Sequence, residues 1–120
     1  PGHFDELKAR DRTIDDFRGK VAEQAWWRYD RAIDYVSDFD VPVAMLLLPM
    51  LPSRGPDEAL AEVAEARGFP VLNYNRLDLY PDLFEREHWF DYYHVGRSGV
   101  DLLTTLIGQD ICPLLEKGRN

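Results

Sequence analysis

The run Val41-Pro42-Val43-Ala44-Met45-Leu46-Leu47-Leu48 constrains the fold more than any other segment. Every position is apolar, rather than every second one. A strand of that character is buried on both faces, as in a parallel sheet covered by helices. Both of its edges want hydrogen-bonding neighbours. The apolar stretch Val41–Leu51 is interrupted by Pro42 and Pro49. It falls well short of the roughly 20 residues that a membrane span requires.

Helical and strand signals alternate around this run. Ile14, Phe17, Val21, Ala25, Tyr29, Ala32, Ile33 and Val36 recur at three- and four-residue spacing, predicting an amphipathic helix over about Ile14 to Ser37. Thr13 and Asp16 form a capping-box-like start for it. Residues 1–12 carry no such period, and His3 reads there as a solvated side chain. A further helix fits Asp57–Arg67, with acidic residues in its first turn and Gly68 just past its end. Phe69–Asn73 reads as a short strand. Ser98 and Asp101 repeat the capping-box spacing, with Ser98 as N-cap of a closing helix that Pro113 limits. Cys112 reads as a packed residue late in that helix. The order is that of an α/β fold, three layers α/β/α with a parallel sheet.

With 120 residues the chain supports one domain, 1–120. Yet only two parallel-type strands are visible, and two strands seldom make a stable sheet. The expectation is a partial domain, completed by a missing N-terminal segment, a partner chain or a symmetric dimer. Lys and Arg number 14 against 22 Asp and Glu, for a net charge of −8. That balance argues against a nucleic-acid binder, which needs a basic face. The single cysteine excludes an internal disulfide and a cysteine-built metal site. The start of the chain shows no signal-like segment.

Chemistry in open α/β sheets gathers at the carboxyl ends of the strands. The loops leaving those ends are Pro49–Gly55 and Asn73–Arg97. The second is long and crowded with aromatics, and long loops in compact domains are usually functional. It contains Asp91-Tyr92-Tyr93-His94. At this spacing the carboxylate can accept a hydrogen bond from the imidazole Nδ1–H, leaving Nε2 free as a base. Trp89, Phe90, Tyr92 and Tyr93 around the pair could exclude water from it. Asn73, Trp89 and Tyr93 are candidate substrate contacts. Against each stands a plainer reading: a turn-forming asparagine, loop packing, and an Asp–His pair that only satisfies itself. His88 with its neighbouring carboxylates could ligate a metal, but solvated polar loops of this kind are far commoner, and no metal or cofactor is expected.

The stretch WFDYYHVGRSG, with a strand before it and an amphipathic helix after, resembles the C-terminal block of the SGNH/GDSL hydrolase superfamily. Asp91 and His94 match that family's catalytic Asp and His, and Gly99 the glycine opening the last helix. The resemblance covers roughly residues 30–110. It implies a flavodoxin-like sheet, of which this chain holds the C-terminal half. It also implies a serine esterase or O-acyltransferase acting on acylated carbohydrate or cell-envelope esters, in the envelope or outside the cell. Nothing here matches the family's G-D-S-like nucleophile block or its oxyanion-hole blocks. Ser53 is the candidate nucleophile within the chain, with a turn residue as its plainer reading. The alternative is a non-catalytic, degenerate or split α/β module that completes its sheet with a partner.

Overall fold

The computed structural model describes residues 2–9, 26–51 and 55–117. These form α1 (Gly2–Ala9), α2 (Trp26–Ser37), β1 (Met45–Leu47), α3 (Gly55–Ala66), β2 (Val71–Asn73) and α4 (Arg97–Lys117). Two 3-10 turns, Pro81–Phe84 and Arg86–His88, lie between β2 and α4. The predicted helix from Ile14 is described only from Trp26 onward. Its first half and the Thr13 cap lie outside the described residues.

The two strands pair in parallel, with Met45 opposite Val71, Leu46 opposite Leu72 and Leu47 opposite Asn73. The connection through α3 is set by its ends. Asp57 and Glu58 stand in its first turn, where carboxylates suit the helix dipole. At its other end Gly68 takes φ +82°, a conformation that disfavours residues with a Cβ. The N–H groups of Gly68 and Phe69 then donate to the carbonyls of Glu65 and Ala64, closing a Schellman cap that turns the chain into β2. Arg67 forms ion pairs with Asp30 and Asp34, tying this corner to α2.

Side chains alternate across the strands, so the two faces of the sheet meet different partners. Leu47 packs with Leu60 and Ala61 of α3, joined by Met45 and Val71. Leu72, on the other face, packs with the larger core of Phe4, Leu51, Tyr74, Leu83, Phe84, Trp89 and Leu103, to which α4 contributes. That second face is covered at β2 but only partly at β1. Leu46 and Leu48 are 43% and 50% exposed, and Met50 and Val41 are exposed too. The expectation of a strand Val41–Leu48 buried on both faces is therefore corrected. Only three residues are paired, and one face of β1 is only partly covered among the described residues.

Three further expectations are corrected. Residues 2–9 are helical despite their weak period, because one residue, Phe4, is buried and anchors them. Pro113 lies inside α4 instead of ending it. It removes the bond to the carbonyl of Gln109, but both residues are exposed and water can serve that carbonyl. Cys112 is exposed, not packed.

Candidate functional site

The segment between β2 and α4 is a packed structure built on its aromatics. The indole of Trp89 is buried and its N–H donates to the carbonyl of Leu83 at 3.0 Å. Phe4 of α1 packs edgewise on it with ring centroids 6.2 Å apart, and the Arg86 guanidinium lies over the Phe4 ring. Arg86 also donates to the Trp89 carbonyl at 2.8 Å. The ring of His3 meets that of Tyr92 edge-on at 4.6 Å, so His3 is a packing residue as well as a partly solvated one. Tyr74, buried, donates its hydroxyl to Asp110 of α4 at 2.7 Å.

On this base a short loop closes. Trp89 and Val95 form an antiparallel bridge, and the N–H of Phe90 donates to the carbonyl of His94 at 2.9 Å. The N–H of Gly96 donates to the carbonyl of His88 at 2.7 Å. Inside the loop Asp91 makes an Asx-type turn: its Oδ1 accepts the N–H groups of Tyr93 and His94, each at 2.7 Å. The same carboxylate stands 2.8 Å (Oδ2) and 2.9 Å (Oδ1) from His94 Nδ1. The Asp91 carboxyl is held below the usual carboxylate range, first by the Tyr93 N–H and then by the His94 side chain. An ionised Asp91 can only accept, so Nδ1 of His94 carries the proton and Nε2 offers its lone pair.

The side chains of His94 and Asp91 are 73% and 42% exposed. The aromatics do not exclude water from the pair, contrary to expectation. Trp89 and Tyr92 turn inward, while Phe90 and Tyr93 project into solvent. Of the candidate substrate contacts, Tyr93 stands exposed on the dyad loop and Trp89 is in the core, where no ligand can reach its face. Asn73 uses its Oδ1 to accept the N–H of Asn75 at 3.0 Å. It lines a cleft of about 290 Å³ with Glu58, Glu65 and Arg76, which includes neither Asp91 nor His94. Ser53 lies outside the described residues.

Two residues have roles other than those their sequence context suggests. Asn75 is fully buried and spans the carboxyl ends of the strands: its Oδ1 accepts the N–H of Met50 and its Nδ2 donates to Asp57, each at 2.9 Å. Burial pushes the Asp57 carboxyl up, partly offset by that amide. With Asn73, Asn75 flanks the strand end, where the sequence suggests a turn former or a contact for substrate hydroxyls; its burial and its bonds to Met50 and Asp57 make it an interior brace instead. The other is Ser98. The N–H of Val100 donates to the carbonyl of Gly96, so Gly96 is the N-cap of α4 and Ser98 sits within its first turn. The Ser98 hydroxyl faces His88 instead, with Oγ 2.8 Å from Nδ1.

No family model, curated protein or solved structure matches the chain. No helix among the described residues is long and apolar enough to cross a membrane.

Proposed function

We propose that this chain supplies the acid–base half of an SGNH-like serine esterase or O-acyltransferase, with Asp91 and His94 as its dyad. The observation that carries the reading is the contact of both Asp91 oxygens with His94 Nδ1, which directs the basic Nε2 outward from the loop. The resemblance of WFDYYHVGRSG to the C-terminal block of that superfamily supplies the reaction type and the substrate class, acylated carbohydrate or cell-envelope esters.

In this reading His94 Nε2 takes the proton of a serine hydroxyl as its oxygen attacks the ester carbonyl. The imidazolium is stabilised by Asp91. It returns the proton to the departing alkoxide, leaving an acyl-serine. Water or an acceptor hydroxyl then attacks the acyl carbon, giving its proton to His94, and the serine is released. The nucleophile and the oxyanion donors come from outside the described residues. The exposure of the dyad suits a site that another segment covers. The three-layer α/β/α architecture is proposed on the same basis: a parallel pair with α3 on one face, α4 reaching the other at β2, and β1 left open for further strands.

A second reading is favoured by the exposed face of Leu46, Leu48 and Met50. Here the chain is a non-catalytic module that completes its sheet on a missing segment, a partner chain or a second copy, and the Asp–His pair is a remnant. Replacing His94 with Ala in the complete gene product separates the two. The enzymatic reading expects ester turnover to be lost with the circular dichroism spectrum unchanged. Full turnover by the folded variant rejects it.

A further inference from the structure

The base of the dyad loop carries a contact network that the dyad itself does not use. Ser98 Oγ lies 2.8 Å from His88 Nδ1 and 3.2 Å from the carbonyl oxygen of Glu87. A serine hydroxyl has one proton to give, and a carbonyl can only accept. The hydroxyl proton therefore goes to Glu87, and Nδ1–H of His88 donates to Oγ. The carbonyl of His88 in turn accepts the Gly96 N–H. The bare Cα of Gly99 lets α4 approach that carbonyl, since a Cβ there would stand 2.4 Å from its oxygen. Residues just before the loop are thus fastened to the N-cap and first turn of α4. Asp91 and His94 lie between the two fastened ends. Their mutual bond is local, but their placement relative to α4 is set by these fastened ends.

We propose that Ser98, acting through His88, is a positioning residue of the dyad: it clasps the loop base to α4 and so sets the direction of the His94 imidazole. This rests on the acid–base reading of Asp91 and His94. The test is nuclear magnetic resonance on the full chain with labelled histidine. Long-range proton–nitrogen correlations report each imidazole tautomer, and residual dipolar couplings report the orientation of His94 relative to α4. The wild type is expected to show Nδ1–H at both His88 and His94. Ser98→Ala should shift His88 toward Nε2–H, alter the His94 couplings and speed Gly96 amide exchange about tenfold. Ser98→Thr, which keeps the hydroxyl, should restore all three. His94 couplings unchanged in a folded Ser98→Ala variant would overturn the proposal. Should that variant fail to fold, His88→Asn, whose Nδ2 can stand in for Nδ1, is expected to keep wild-type couplings and Gly96 protection, and loss of both overturns it. If His94 proves dispensable for turnover while these spectra behave as stated, the acid–base reading falls and the clasp stands.

Discussion

Asp91 and His94 are joined twice, through the backbone N–H of His94 to Oδ1 and through the imidazole Nδ1 to both carboxylate oxygens. With the Tyr93 N–H also on Oδ1, one side chain orders the loop and sets the tautomer of His94.

The pH dependence of this turn has a definite sign. The folded Asp91 carboxyl titrates below its unfolded value of about 3.9. Its contribution to stability is complete above that value and is lost as pH falls through the folded one. The stability difference between wild type and Asp91→Asn, from urea midpoints, should shrink as pH falls below about 4, where the Asp91 carboxylate takes up its proton. A difference that keeps growing below about pH 4 contradicts the assignment.

Tyr74 behaves oppositely. Burial, then the bond and charge of Asp110, raise its phenol far above the usual range. Its contribution is present below the unfolded value of about 10 and is lost as pH rises through the folded one. Tyr74→Phe should cost about 0.5–1.5 kcal/mol at neutral pH. It should also flatten the loss of stability above about pH 10 seen in the wild type. Identical alkaline limbs in the two proteins would show that Tyr74 does not carry that loss.

Two glycines of α4 should respond in opposite directions. A Cβ on Gly99 meets the His88 carbonyl oxygen and the Val95 side chain at 2.4 Å, whereas a Cβ on Gly108 meets nothing within 4 Å. Gly99→Ala should destabilise by about 1–3 kcal/mol through overpacking. Gly108→Ala should stabilise by about 0.5–1 kcal/mol through helix propensity. Denaturant titration reads both.

The open face of β1 predicts a separation of folding from association. Leu46→Lys with Leu48→Lys should cost no more than about 1–2 kcal/mol, since each side chain is only about half buried and a lysine stem can keep part of that cover. The double variant should reduce the concentration-dependent sedimentation expected of an exposed apolar sheet edge. Equal sedimentation of the two proteins would show that the face is not used between copies.

Local features with a strong chemical signature were legible from the residues alone. Gly68 at a helix end, acidic residues opening α3 and the turn-forming spacing of Asp91 and His94 each depend on a few neighbouring residues. What was not legible depends on distant ones. Phe4 turns a weakly patterned segment into a helix because Trp89 and Arg86, more than 80 residues away, receive it. Ser98 satisfies the capping pattern, but the carbonyl of Gly96 takes the first helical bond and frees the hydroxyl for His88. Trp89 and Tyr93 look alike in sequence. The bond to the Leu83 carbonyl and the packing of Phe4 bury one, while the other has no such receiver.

The acid–base role of His94 is tested most directly by labelling the complete gene product with a fluorophosphonate serine probe, in the wild type and in His94→Ala. The wild type should be labelled at one serine, and the variant about a hundredfold more slowly, within the range general-base assistance supplies. Labelling at equal rates in the two proteins, or none in either, contradicts the account.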